Sequence, residues 1–135
     1  AERAASISDN LRFTDDLHDL CASCDYITIH VPATPKTKGM IGAEEIAAMK
    51  EGSAFLNFSR DTLVDNQAMA AALAAGKVRR YVTDFATPEV MAMEGALVLP
   101  HLGASTAEAE ENCAEMAVRE VMEYLETGKK VHCCN

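Results

Sequence analysis

Arg60, Asp84, Glu89 and His101 are the side-chain types that oxidation of a small hydroxy acid requires. A guanidinium grips a carboxylate through two parallel hydrogen bonds and so orients an anionic small molecule. An imidazole titrates near neutral pH and can take a hydroxyl proton as the carbon is oxidised. A carboxylate beside it favours the protonated ring and fixes its tautomer. A second carboxylate at a strand end can hold the amide of a nicotinamide, the hydride acceptor this chemistry needs because no side chain accepts hydride. Singly, each residue has an ordinary structural explanation. Arg60 can be a surface ion-pair residue, Asp84 a turn cap, Glu89 a solvated loop acid and His101 a hydrogen-bonded loop histidine.

Their common placement argues for more, and it follows from the alternation of elements. TDDLHDLCASC reads as a short helix capped by Thr14, with Leu17 and Leu20 repeating at i, i+3 and His18 on its surface. DYITIHV reads as a strand in which Ile27, Ile29 and Val31 alternate with Tyr26, Thr28 and His30. A proline-rich loop, PATPKTKG, leads to a second short helix, AEEIAAMK, stopped at EG. SAFLNF is an apolar strand, and VDNQAMAAALAAGK a helix with Asp65 as N-cap and Gly76 just past its end. RRYVTDF and ALVLP are two further strands. The last helix runs from about Thr106 to Thr127, opened by a capping box of Ser105 and Glu108 and closed by Gly128. Its stripe of Cys113, Ala117, Val121, Tyr124 and Leu125 reads as packing surface.

Such alternation predicts a mostly parallel sheet with right-handed crossovers. Chemistry in these sheets gathers in the loops beyond the carboxyl ends of the strands. Those ends deliver His30 and Pro32, then Ser59 and Arg60, then Asp84 and Glu89, then His101. Composition and spacing alone reach an α/β domain with a candidate active-site edge.

The bulk numbers bound the partners. The 135 residues suit one compact domain, with 49% hydrophobic and 24% charged residues. A net charge of −9 argues against nucleic acid and anionic membrane surfaces, yet leaves room for a small anion held by one arginine. No apolar run approaches the ~20 residues of a membrane span. The odd set of cysteines (Cys21, Cys24, Cys113, Cys133 and Cys134), with no secretion signal, points to a reducing, cytoplasmic setting. CASC, with His132 beside Cys133 and Cys134, raises a metal or redox site. The first pair sits at a helix end and the second at a terminus, not on the turns that present zinc ligands. The thiols therefore read as buried or incidental, and no metal is expected.

Four blocks carry a resemblance. In order they are CDYITIHVPATPKTKGMI, MKEGSAFLNFSRDTLVDNQAMAAALAAGKV, VTDFATPE and PHLGAST. Together they resemble the D-2-hydroxyacid dehydrogenase family over nearly the whole chain. The last block has the form typical of its D-3-phosphoglycerate dehydrogenases. The resemblance implies NAD as cofactor and a D-2-hydroxy acid as substrate, foremost 3-phosphoglycerate, oxidised to 3-phosphohydroxypyruvate in serine biosynthesis. It implies that Arg60 binds and polarises the 2-oxygen and carboxylate, that His101 is the acid–base, and that Glu89 is its partner. Asp84 would hold the nicotinamide carboxamide. His30, Val31, Pro32 and Thr37 would line the adenosine side, and Ser59, Gly103 and Ala104 the nicotinamide end.

The chain also departs from that pattern. Asp61 stands where a glycine usually follows the arginine, Val90 where a proline usually follows the glutamate, and the loop from Glu89 to His101 is short. No G-x-G-x-x-G occurs. The expectation is therefore a partial Rossmann-like parallel sheet of about four strands flanked by helices, lacking the first βαβ unit. Residues 1–135 would be the C-terminal half of a dinucleotide-binding domain from a longer dehydrogenase. By itself such a chain would not turn over substrate, and its exposed YITIHV edge would favour homo-oligomers. Two alternatives are an NAD(H)-sensing, corepressor-like binding protein and a non-catalytic module, the second suggested by Asp61.

Overall fold

The computed structural model describes residues 11–132, which fall into two compact units, one ending at Pro100 and the other beginning at His101. In the first unit, side-chain alternation sets the strands. β1 (Tyr26–Ile29) buries Ile27 and Ile29 and exposes Tyr26 and Thr28, the period-2 pattern of a half-covered strand. β2 (Ser53–Asn57) is buried along almost all its length. β3 (Val78–Thr83) and β4 (Ala96–Val98) complete a parallel sheet in the order β1-β2-β3-β4, as the alternation of elements predicts. β1 is an outer strand of this sheet.

The register defines the covered face. Ile27, Phe55, Tyr81 and Ala96 form one row, and Ile29, Asn57, Thr83 and Val98 the next. Phe55 and Tyr81 are fully buried, their rings 6.2 Å apart and tilted. Leu97, on the other face, is 52% exposed. One irregularity breaks the alternation: between Ser53 and Ala54 the pairing with β3 skips a residue. This bulge leaves Arg79 and Arg80 both exposed, and Arg79 stacks over the Tyr26 ring at 5.9 Å.

Short helices connect the strands: α1 (Leu17–Ser23), α2 (Ala43–Ala48), α3 (Asn66–Ala74) and α4 (Pro88–Met91). Ile41, Ile46, Met49, Leu63 and Met69 fill the space between them and the sheet. Asp65 caps α3 by accepting from the Gln67 and Ala68 N–H groups, and Gly76 follows its end at φ +75°, as read from sequence. The cap of α1 is Asp16, not Thr14. Its Oδ1 accepts from the His18 and Asp19 N–H groups, while Thr14 accepts from Asp16 itself.

In the second unit, α5 (Ala107–Thr127) ends at Gly128, φ +69°. Its cap is Thr106, which accepts from the Ala109 N–H at 3.1 Å. The Ser105–Glu108 capping box is not formed, because a helix starting at Ala107 places Glu108 one position too early to reach back to its cap. No residue of α5 is buried, and Val121, Tyr124 and Leu125 of its apolar stripe are exposed. Among the described residues, no helix is long and apolar enough to cross a membrane.

Cys21 is buried, Cys24 half-buried and Cys113 exposed, all as free thiols. Burial, reinforced by Glu45 and Cys24, pushes the Cys21 thiol up. The C-x-x-C pair lies at the C-terminal end of α1. Cys133 and Cys134 lie outside the described residues. His18 is exposed and approaches Glu45 at 3.4 Å. The same carboxylate accepts from the Gly42 N–H at 3.0 Å, so an ion pair and a helix cap account for it. His132 pairs with Glu120 at 2.7 Å.

Phe55→Ala should destabilise the protein by about 3–5 kcal/mol through the cavity it leaves. Asp65→Ala should cost about 1 kcal/mol through loss of the cap. Urea unfolding midpoints read both, and a Phe55→Ala midpoint equal to wild type would contradict the core described.

Candidate active site

The row Ile29–Asn57–Thr83–Val98 closes the covered face at the carboxyl end of the sheet. Asn57 and Thr83 are both fully buried, and buried polar groups must find partners. Asn57 Oδ1 accepts from the Ser59 N–H at 3.1 Å, and its Nδ2 donates to the Arg60 carbonyl at 2.8 Å. This donor–acceptor pair fixes which way the amide points. Thr83 Oγ1 donates to the Asn57 carbonyl at 2.9 Å, and the Leu99 N–H donates to the Thr83 carbonyl at 2.8 Å. Ser59 Oγ donates to the Val31 carbonyl at 2.9 Å. Hydrogen bonds thus link the carboxyl ends of all four strands.

On this framework Arg60 is exposed, its Nη1 donating to the Ser59 carbonyl at 2.6 Å. Asp61 opens a 3₁₀ turn, Asp61–Leu63, and accepts from the Thr62 N–H at 2.8 Å. His132 is the one described non-glycine residue with positive φ, so Asp61 occupies ordinary backbone without strain. Asp84 is half-buried directly after β3. His30 is exposed after β1, with Nε2 2.9 Å from Thr28 Oγ1. Thr37 closes the proline-rich loop by donating to the Pro32 carbonyl at 2.6 Å and accepting from the Thr34 N–H at 2.8 Å.

The expected site residues are therefore brought together in part. Val31 meets Ser59, Pro32 meets Thr37, and Ser59 adjoins Arg60, while Asp84 stands at the same carboxyl edge. Glu89 is exposed on α4 and has no hydrogen bond or ion pair among the described residues. His101, Gly103 and Ala104 belong to the second unit, exposed in the segment ahead of α5. Asn57 and Thr83 were not among the residues expected from sequence. The available signal was an asparagine inside the otherwise apolar SAFLNF, since a polar residue in a buried strand is the informative exception.

Burial, with a smaller contribution from Asp61, pushes the Tyr81 phenol up, against hydrogen bonds from Asn57 and Thr83 that lower it. With Arg60 as the exposed cation and Asp84 as acceptor, the edge can orient an anion and receive an amide N–H.

Residues 2–104 match the family described as D-isomer specific 2-hydroxyacid dehydrogenase, NAD binding domain. The chain is 35% identical over 121 residues to a D-3-phosphoglycerate dehydrogenase of Methanocaldococcus jannaschii, covering 85% of this chain and 23% of that protein. It is 34% identical over 131 residues to that of Escherichia coli K12, covering 88% and 32%. The chain thus spans about a quarter to a third of these curated relatives. In fold it is similar to a Granulicella formate dehydrogenase, with TM-score 0.79, 22% identity, and 93% of this chain and 35% of that one covered. It is also similar to a D-isomer specific 2-hydroxyacid dehydrogenase from Xanthobacter autotrophicus Py2 in complex with NADPH and MES. There the TM-score is 0.72 and the identity 28%, over 86% of this chain and 50% of that one.

Thr83→Val should destabilise by about 1–3 kcal/mol, because the buried Asn57 carbonyl loses its donor; chemical unfolding measures this. Because the folded Tyr81 resists ionisation, its contribution is full below tyrosine's ordinary 10.0 and is lost as pH rises beyond it. Tyr81→Phe should therefore flatten the alkaline fall in stability; an unchanged slope would contradict the assignment.

Proposed function

The chain belongs to the D-isomer specific 2-hydroxyacid dehydrogenase family, and from that premise we propose that it supplies the C-terminal half of the dinucleotide-binding domain of an NAD-dependent enzyme. The substrate is a D-2-hydroxy acid, foremost 3-phosphoglycerate, oxidised to 3-phosphohydroxypyruvate. The observation that carries this reading is the clamped Ser59–Arg60 segment, which holds an exposed guanidinium at the carboxyl edge of a parallel sheet. Ligands of open α/β sheets bind at that edge.

In this reading Arg60 forks onto the substrate carboxylate and polarises the 2-oxygen. His101 takes the hydroxyl proton, and Glu89 holds the imidazolium that results. A bound nicotinamide supplies hydride acceptance. The donor set suits it: the Asp84 carboxylate can accept from a carboxamide N–H, and in this reading Ser59, Gly103 and Ala104 would line the nicotinamide. In this reading His30, Val31, Pro32 and Thr37 would line the adenosine side, a role supported by the loop closed through Thr34, Thr37 and Pro32. The free thiols support a reducing, cytoplasmic setting, and the position of β1 as an outer strand among the described residues supports association of chains.

A longer dehydrogenase containing this chain should form NADH from 3-phosphoglycerate, while residues 1–135 alone should not. In that enzyme Arg60→Ala and His101→Ala should each lower kcat/KM by about 10²–10⁴-fold. Steady-state assays across D-lactate, D-glycerate and 3-phosphoglycerate decide it. Absence of turnover on every one would overturn the proposal.

A further inference from the structure

Arg60 leaves the sheet on a segment that makes no ladder of its own: residues 58–60 belong to neither strand nor helix. Its direction must be set from outside. The two ends of the Ser59–Arg60 dipeptide, the Ser59 N–H and the Arg60 carbonyl, both bond to one side chain, the Asn57 amide. Resting on the dehydrogenase reading above, we infer that Asn57 is the positioning residue that sets where the Arg60 guanidinium meets the substrate carboxylate.

Asn57 is well placed to do so. It is fully buried, at the end of a strand paired on both sides. Its own carbonyl is held by Thr83 Oγ1, and its Nδ2 lies 3.5 Å from the Tyr81 hydroxyl. The clamped dipeptide in turn carries two reaching groups. Ser59 Oγ ties it to Val31 at the end of β1, and Arg60 Nη1 rests on the Ser59 carbonyl. The head group is therefore located on the same two residues that Asn57 holds. The task needs one acceptor and one donor at fixed spacing. Aspartate keeps the acceptor and loses the donor, leucine has neither, and glutamine is one methylene too long.

Displacement of a substrate-binding group by about 1 Å can cost ~10²-fold in rate. In the full dehydrogenase, Asn57→Asp should lower kcat/KM for the hydroxy acid by about 10–100-fold, in the same parameters that Arg60→Ala changes. Introduced into Arg60→Ala, it should produce no further loss, because both changes remove one function. A merely structural asparagine would give additive losses. Circular dichroism checks the fold, and Asn57→Thr, which keeps a hydroxyl donor and a β-branched strand former, repeats the cycle should the aspartate variant unfold. Undiminished activity in Asn57→Asp, additive losses, or unfolding of both variants would overturn the assignment. A wild-type enzyme that turns over no 2-hydroxy acid would instead overturn the reading on which it rests.

Discussion

A carboxamide buried at the end of a central strand organises this edge of the protein. Leaving one of its polar groups without a partner would cost about 1–3 kcal/mol, a large share of the stability of a small domain. The chain after β2 must therefore fold back so that the Ser59 N–H and the Arg60 carbonyl reach Asn57. Once it does, Ser59 is brought within reach of the Val31 carbonyl. Thr83 Oγ1 donates to the main-chain carbonyl of Asn57 from the other side. Asn57 thus ties the exits of β2 and β3 through its side-chain amide and its main-chain carbonyl, Ser59 adds β1 through Val31, and Leu99 adds β4 through Thr83.

This arrangement separates stability from chemistry by a single row of residues. Ile27, Phe55, Tyr81 and Ala96 make a largely apolar row, whose burial holds sheet to helices and from which the Tyr81 hydroxyl reaches toward Asn57. The next row replaces two of its apolar members with Asn57 and Thr83. Hydrogen bonds are directional where apolar contacts are not, so the second row can aim a loop that the first can only anchor. The exposed residues beyond it, Arg60 and His30 among them, stand outside the core beneath.

Most of the sheet was legible in the sequence, because β2 and β4 are short apolar runs and β1 alternates buried with exposed residues. Asp65 and Gly76 were legible for the same local reason: their capping bonds lie within one turn of helix. Thr14 and Ser105 failed where a capping residue had competitors one or two positions away. Asp16 and Thr106 also carry acceptor oxygens, and which one caps depends on where the helix axis begins. The double exposure of Arg79 and Arg80 comes from a bulge in pairing with β2, and a partner 25 residues away leaves no mark on the local pattern. The roles of Asn57 and Thr83 were hidden for a similar reason, since they depend on a register that only the assembled sheet defines.

Asp61 is the residue on which the non-catalytic alternative turned, and its surroundings bear on that alternative directly. A glycine is indispensable where the backbone is left-handed or where a Cβ would collide. Asp61 is not left-handed. It opens an ordinary 3₁₀ turn, and its carboxylate supplies a hydrogen bond to the Thr62 N–H that glycine could not make. The clamp on Arg60 involves the carbonyl of residue 60 and the N–H of residue 59, neither of which belongs to Asp61. An aspartate here is therefore compatible with the bonds that hold the arginine's segment. What the aspartate adds is a negative charge one residue from the guanidinium, which weakens the local field without changing its geometry. That effect lowers the attraction of the edge for anions without altering the hydrogen bonds that hold residues 59 and 60.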